Sequence, residues 1–215
     1  EEDLPYDALV LSPGARPVRP PIPGIERALA LRDVEDTDAM VAAVADAQGI
    51  EARGFDDEEP EPTRVVVIGG GFIGVEMAEN LVHRGLHVAL VEATPQVMAP
   101  LDPEMVAPVH DALRRAGVDL HLGRSVTVIG DHDVTLSDGT VLPAAVVVAS
   151  IGVRPDTSLA EGAGLRIGPR GGIWVDEQLR TSDPHIYAVG DAVEKVDGLS
   201  HEASLVPLAN TANLQ

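Results

Sequence analysis

The stretch Val65-Val66-Val67-Ile68-Gly69-Gly70-Gly71-Phe72-Ile73-Gly74 decides how this chain is read. Four consecutive apolar residues with β-favouring side chains read as a strand buried on both faces, where no polar alternation is needed. Gly69, Gly71 and Gly74 then form a G-x-G-x-x-G pattern that opens a helix predicted over Phe72–Arg84. In that context the first glycine permits a tight turn and the second lets backbone approach a pyrophosphate. The third lets helix and strand pack closely. Unpaired N–H groups and the positive end of the helix dipole would face the phosphates. The next strand, His87–Glu92, ends in a carboxylate near the roughly 20-residue offset expected for an acid on the adenosine ribose. Such a carboxylate accepts hydrogen bonds from both ribose hydroxyls and repels a 2′-phosphate. Ala93, Thr94 and Pro95 supply no arginine to welcome one. A dinucleotide site follows, built on Gly69, Gly71, Ile73, Gly74 and Glu92, with NAD(H) favoured over NADP(H). A glycine-rich turn beside a surface glutamate is the competing account, and strand, helix and acid together weigh against it.

Outward from this stretch the chain alternates strand and helix. Pro103–Ala116 reads as a helix, Val118–Leu122 as a strand and Val146–Ser150 as a continuous apolar strand. Repeated β-α units imply a parallel sheet with helices against it. Between them Val126–Ile129, Val134–Leu136 and Thr140–Leu142 are short runs, the last two joined through Asp138-Gly139, a strong hairpin signal. The expected architecture is α/β: a Rossmann-like three-layer nucleotide-binding domain with a parallel sheet, plus a small antiparallel β-meander.

Towards the N-terminus, Ala8–Leu11 reads as a short buried strand with nothing before it to pair with. Ser12-Pro13-Gly14-Ala15-Arg16-Pro17, followed by Pro20, Pro21 and Pro23, predicts an extended crossover rather than helix or central sheet. Asp36–Ala47 is acidic at its start and carries Met40, Val41 and Val44 at helical spacing, so a helix is expected there, ended by Gly49. Glu51–Thr63, rich in Asp, Glu and Pro, reads as a solvated linker. The unpaired first strand and a helix-like start at the C-terminus lead us to expect a piece of a longer protein.

Composition bounds the function. Hydrophobic residues make up 45% of the 215, enough for a sizeable core, while aromatics at 2% leave that core to Val, Ile, Leu and Ala. The net charge of −20 argues against nucleic acid or an anionic membrane as partner, since both are polyanions. The basic residues include a single lysine, Lys195. There is no cysteine, which excludes disulfides, thiolate metal sites and a cysteine nucleophile within these residues. The seven histidines show no ligand spacing beside paired acids, so no metal site is expected. No apolar run approaches the roughly 20 residues needed to span a bilayer. The first residues lack the basic and apolar segments of a signal peptide, making a cytoplasmic location the default expectation.

A second informative stretch runs Thr181-Ser182-Asp183-Pro184-His185-Ile186-Tyr187-Ala188-Val189-Gly190-Asp191-Ala192. Ile186–Val189 is a predicted strand, with Gly190-Asp191 at its C-terminal end, where α/β sheets place ligands. From the residues alone, Asp191 is equally a sugar-hydroxyl acceptor or a turn residue. The motifs in their order are more specific than any one of them. Tyr6-Asp7-Ala8-Leu9-Val10-Leu11-Ser12-Pro13-Gly14-Ala15, Ile22-Pro23-Gly24, Val67 through Glu76, Ile151-Gly152-Val153-Arg154-Pro155, the stretch Thr181–Ala192 and Val206-Pro207-Leu208-Ala209 run through the whole chain. Together they resemble the pyridine nucleotide-disulfide oxidoreductases, flavoproteins that bind NAD(P)H in a central domain and FAD in a separate one. Ser12-Pro13-Gly14-Ala15 and Pro207-Leu208-Ala209 are most similar to the branch of coenzyme A-disulfide reductases, NADH oxidases and persulfide reductases.

The resemblance implies roles. Phe72 matches an aromatic gate over the flavin, and Glu76 an acid near the nicotinamide carboxamide; from the residues alone Phe72 is core and Glu76 a solvated helix residue. Gly152 would approach NAD by backbone. Ser12, Gly14, Gly190, Asp191 and Pro207 would belong to a partial FAD site. The implied domains are an FAD-domain remnant with crossover and helix over residues 1–50, the linker over 51–63, an NAD(H)-binding domain over 64–180 and a second FAD-domain remnant over 181–215. The family's own N-terminal FAD fingerprint, its redox cysteine and its dimerisation domain have no counterpart here. No residue of this chain is therefore expected to be catalytic. NADH would deliver hydride to flavin for reduction of a disulfide, persulfide or oxygen in a homodimeric parent, and the isolated chain would bind NADH and catalyse nothing. Two rivals stand beside this: a reductase of ferredoxin- or rubredoxin-type carriers, and a nucleotide-sensing module without redox function.

Overall fold

The structure, a computed structural model, describes residues 4–51, 63–213 and 215. In chain order the strands are β1 (Leu9–Leu11), β2 (Ala15–Pro17), β3 (Arg64–Ile68), β4 (His87–Glu92), β5 (Asp119–Leu122), β6 (Val126–Ile129) and β7 (Asp133–Leu136), then β8 (Val141–Pro143), β9 (Val146–Ala149), β10 (Val153–Pro155), β11 (Ile173–Trp174), β12 (Ile186–Ala188), β13 (Val193–Val196) and β14 (Ala203–Leu205). The helices are α1 (Val34–Glu51), α2 (Phe72–His83), α3 (Pro103–Arg115), α4 (Ser158–Gly162) and α5 (Ala209–Asn213). The chain divides into two compact units, one of Pro17–Gly152 and the other of Glu1–Arg16 with Val153–Gln215.

The Pro17–Gly152 unit is built on a four-stranded sheet in the order β5-β4-β3-β9, parallel at every step. The middles of β3 and β4 and the whole of β9 are apolar because both faces are covered, and successive side chains point to opposite cores. Val65, Val67, Val88, Leu90, Val146 and Val148 join the helices in one cluster, with Ala78 and Leu81 of α2 and Val106 and Leu113 of α3. Val66, Ile68, Val91, Val147 and Ala149 face the other way, onto Val126, Ile129, Val134 and Leu136. Those last residues belong to the antiparallel β6-β7-β8 sheet, the expected meander. Its second hairpin turns at Asp138-Gly139, where Gly139 has φ 85°. The layers are therefore helix, parallel sheet and meander.

Helix α1 differs from the expected Asp36–Ala47 at both ends. It begins at Val34 because Asp33 caps it, the side-chain Oδ1 accepting the Asp36 N–H at 2.9 Å and the main-chain carbonyl the Thr37 N–H at 3.2 Å. It runs through Gly49 rather than stopping there. A glycine inside a helix costs about 1 kcal/mol, and burial of Met40, Val44 and Ala47 in the helical core outweighs that. Of the acidic, proline-rich linker, all but Glu51 and Thr63 lies outside the described residues.

In the other unit β1 pairs in parallel with β12, Leu9 opposite Ile186 and Leu11 opposite Ala188. The first strand thus finds its partner far downstream, not before it. Ile186 and Ala188 pack with Ala160, Leu165, Ile173, Val175, Ala192 and Val193 in a separate core. The proline-rich crossover contributes β2, an edge strand of a two-stranded sheet with β10 among the described residues, which suits residues that donate few ladder hydrogen bonds. A third sheet, β11-β13-β14, carries a fully buried acid, Glu194. Its Oε2 accepts the Arg170 N–H at 2.9 Å and the Gly172 N–H at 3.0 Å, pinning the turn 168–172 to β13. A Cβ on Gly168 would collide with that carboxylate, so any side chain there must displace it.

Candidate dinucleotide site

The glycine loop sits between the C-terminal end of β3 and the N-terminus of α2, at the carboxyl edge of the parallel sheet, where open α/β folds bind ligands. Each glycine has a distinct reason to lack a side chain. Gly69 has φ 103°, and a Cβ there would strike the Ser150 carbonyl at the end of β9. A Cβ on Gly74 would overlap the Gly69 carbonyl and crowd Ser150 Oγ, so helix and strand touch through this residue. Gly71 differs: nothing lies within 4 Å of where its Cβ would be. The first two are glycines because of protein contacts, while Gly71 faces open space. That is the pattern expected where a phosphate must come close to backbone. Gly71 is also the N-cap of α2 and provides no side-chain cap, so the first-turn N–H groups are not satisfied by a capping side chain.

Glu92 ends β4 beside this loop. Its Oε2 accepts the Gly70 N–H at 2.7 Å, and its Oε1 accepts the Thr94 N–H at 2.8 Å. The Thr94 hydroxyl lies 2.8 Å from the same Oε1 and 2.7 Å from the Gln96 carbonyl. One hydroxyl proton serves one of these at a time. The segment after Glu92 folds back onto the loop, where the Met98 N–H donates to the Gly70 carbonyl at 2.7 Å. Val97 is fully buried beneath it. From the other side, Gly123 N–H donates to the Thr94 carbonyl at 2.8 Å and Arg124 N–H to the Glu92 carbonyl at 3.1 Å. The acid and the glycine turn are thus one hydrogen-bonded unit.

Phe72 opens α2 with 58% of its surface exposed, which removes the core alternative for this residue. An exposed phenylalanine at the mouth of a glycine loop is available to a planar ligand. Glu76 is exposed one turn further on. Ile73 is half-buried on the same turn. Gly152, with φ 102°, lies beyond β9 in an exposed loop and has nothing within 4 Å of its Cβ position. Sequence reasoning missed Ser150, whose hydroxyl lies 2.9 Å from the Ile68 carbonyl and 3.1 Å from the Gly69 carbonyl and so braces the turn. The break from an apolar strand to serine at its last position was the available sign.

In the other unit, Ser12 and Gly190 follow the C-terminal ends of the adjacent parallel strands β1 and β12. Gly190 has φ 82°, and its Cβ position lies 3.6 Å from Ser12 Oγ. Its N–H donates to Gln215 Oε1 at 2.6 Å. Asp191 follows in a single 3-10 turn, Gly190–Ala192, and is half-buried. Gly14 has φ 71°, and its carbonyl accepts the Asp156 N–H at 2.9 Å. Arg16 Nε donates to Asp156 Oδ2 at 2.6 Å, and with the Ser158 hydroxyl it holds the Asp156 carboxyl below its usual range. Pro207 is exposed two residues before α5. Among the described residues, no group of three His, Asp or Glu side chains is placed to hold a metal ion.

The sequence pattern of the pyridine nucleotide-disulphide oxidoreductases matches residues 1–213. The chain belongs to this family. Among similar curated proteins, the NADH oxidase of Methanocaldococcus jannaschii is 37% identical over 218 residues, an alignment that covers 99% of this chain and 46% of that protein. The solved structure of reduced Bacillus anthracis CoADR-RHD superposes with TM-score 0.88 at 45% identity, over 97% of this chain and 36% of that one. The NAD-dependent persulfide reductase of A. fulgidus gives TM-score 0.88 at 36% identity, over 100% of this chain and 38% of that one. This family member therefore spans less than half the length of these relatives. Its Rossmann-like α/β architecture is the one its structural neighbours share.

Proposed function

We propose that the Pro17–Gly152 unit, which carries the glycine loop and Glu92, is the NADH-binding part of an FAD-dependent oxidoreductase, and that the unit of residues 1–16 and 153–215 belongs to its FAD side. The observation that carries this is the Glu92–Gly70 hydrogen bond, which joins a phosphate-type turn to a carboxylate placed for a ribose. The residues present fit the dinucleotide: Gly71 leaves room, the α2 N-terminus supplies N–H groups, and Glu92 supplies acceptors. When bound, the nicotinamide donates a hydride that the family's flavin accepts. This chain's own task is to bind and orient. Gly69, Gly71, Ile73 and Gly74 would hold the pyrophosphate, and Glu92 the adenosine ribose. Phe72, Glu76 and Gly152 would meet the nicotinamide end, with Phe72 screening the flavin. Ser12, Gly14, Gly190, Asp191 and Pro207 would contribute to the FAD site.

The names of the relatives support a disulfide, a persulfide or oxygen as final acceptor in the whole protein. These 215 residues hold no cysteine, and we expect them to bind NADH without reducing a disulfide. A cytoplasmic setting and a homodimeric whole protein belong to the same proposal. No helix among the described residues is long and apolar enough to cross a membrane. Calorimetric titration of this chain with NADH and NADPH tests the reading. NADH binding at least tenfold tighter than NADPH is expected. Equal affinities would remove the role given to Glu92, and binding of neither would remove the site.

A further inference from the structure

His110 lies in the middle of α3, away from the glycine loop in sequence, and its ring Nε2 accepts the Val97 N–H at 3.1 Å. Val97 is the buried centre of the segment 93–101. Its Cγ1 would stand 3.0 Å from a Cβ on Gly70, so its side chain packs directly under the glycine turn. The next residue, Met98, is held at φ 50°, a left-handed conformation uncommon for a non-glycine residue. In that conformation its N–H reaches the Gly70 carbonyl at 2.7 Å. Gly70 N–H in turn donates to Glu92 Oε2. A single line of contacts therefore runs from His110 through Val97 and Met98 to the carbonyl of Gly70, and from the Gly70 N–H on to Glu92. The segment is also tied at its start, where Thr94 bonds Glu92 and the Gly123 N–H donates to the Thr94 carbonyl at 2.8 Å, and within itself by Gln96 Nε2 to the Leu101 carbonyl at 2.8 Å; at its buried centre the His110 bond holds the Val97 N–H.

We propose that His110 is a positioning residue for the adenosine half of NADH, its Nε2 fixing the 93–101 segment so that Gly70 and Glu92 hold their binding geometry. The inference rests on the NADH reading given above. Only an imidazole without a proton on Nε2 accepts the Val97 N–H. The neutral form is favoured by burial and by the nearby Arg114 guanidinium, against the opposing charge of Asp111, and together these set the ring below its usual value near 6.5. Both charged groups are on α3, and the segment 93–101 packed against the ring carries no ionisable side chain. As pH falls through the lowered value, Nε2 gains a proton and turns from acceptor to donor facing the Val97 N–H. The segment then loses its anchor and affinity for the adenosine half falls. NADH binding becomes weaker in acid through a group that would not itself touch the ligand.

The test uses this chain with NADH and with ADP-ribose, which lacks the nicotinamide. Calorimetry from pH 7.5 to 5 on the wild type should show both affinities falling as pH drops. In His110→Leu, affinity for both should be weaker at pH 7.5 by roughly three- to tenfold, the worth of one hydrogen bond, and flat with pH. His110→Gln keeps an acceptor in reach of Val97, so it should restore affinity near the wild-type value at pH 7.5 while remaining flat into acid. Hydrogen exchange at the Val97 amide, protected in the wild type at pH 7.5 and released as pH falls, reads the same bond without any variant. Wild-type affinity independent of pH, or a Val97 amide whose protection ignores pH, would overturn the role of His110. Absence of binding by both ligands at every pH would instead overturn the NADH site on which it rests.

Discussion

Gly70 N–H donates to Glu92 Oε2 at 2.7 Å, so the turn proposed to hold a pyrophosphate and the acid proposed to hold a ribose are locked to each other. Hydrogen bonds to a charged acceptor are worth about 1.5–3 kcal/mol each. Replacing Glu92 with alanine removes the ribose acceptors and also frees Gly70 and Thr94. NADH affinity should fall by tenfold or more while NADPH affinity changes little, narrowing the preference between them. Paired titrations of the two nucleotides would show it, and an unchanged NADH/NADPH ratio would count against the assignment.

The three glycines should separate stability from binding. Gly74→Ala forces a methyl onto the Gly69 carbonyl. Overpacking of this kind costs about 1–3 kcal/mol or more, so Tm and NADH binding should drop together. Gly71→Ala meets nothing in the protein and should leave Tm within a degree or two, yet weaken NADH binding by crowding the phosphate. Thermal melts set beside titrations distinguish the two. A Gly71→Ala variant that binds normally would argue against phosphate contact at that residue.

Glu194 and Gly168 are coupled through space. Glu194→Ala leaves the buried Gly172 N–H without its acceptor, a loss of about 1–3 kcal/mol, and releases the Arg170 N–H, which water can reach. Gly168→Ala drives a methyl into the same carboxylate. The double variant gives the methyl room, so its destabilisation should be smaller than the sum of the single ones. A denaturant double-mutant cycle measures this interaction, and strict additivity would be the contrary result.

Asp156 supplies a pH dependence to the other unit. Its carboxyl is held below the usual value near 3.8, first by the Arg16 hydrogen bond and then by Ser158. A carboxyl depressed on folding contributes stability that is present above the unfolded value and is lost as pH falls through the folded one. Tm should therefore decline as pH drops from about 4.5 towards 2. Asp156→Asn, lower in stability at neutral pH, should show a shallower decline over that window. Identical slopes would mean the Arg16–Asp156 pair does not govern it.

The central sheet was legible because its information is local. β3, β4 and β9 are apolar runs, and covered faces leave no other place for Val65–Ile68 or Val146–Ala149. The glycine loop was legible because backbone geometry permits few substitutes at Gly69 and Gly74. What escaped was non-local. The partner of β1 cannot be deduced from Leu9–Leu11, since the pairing residues are near the other end of the chain. β2, β10, β13 and β14 are short strands whose pairing depends on tertiary contact more than on pattern. Glu194 looks like a surface acid until two N–H groups are seen converging on it. The residue type of Phe72 alone suggests core and only the family resemblance suggests a gate, and the side chain is exposed. Ser150 and His110 act through carbonyls and amides far from them in sequence, for which no spacing rule exists.

The pairing of β1 with β12 has a consequence for how the chain is made. A ribosome releases residues in order, so Leu9–Leu11 emerges before Ile186–Ala188 and cannot make this pairing until they follow. The Pro17–Gly152 unit contains its whole sheet within its own limits and can close during that interval. Synthesis would thus let the Pro17–Gly152 unit close before β1 and β12 can meet.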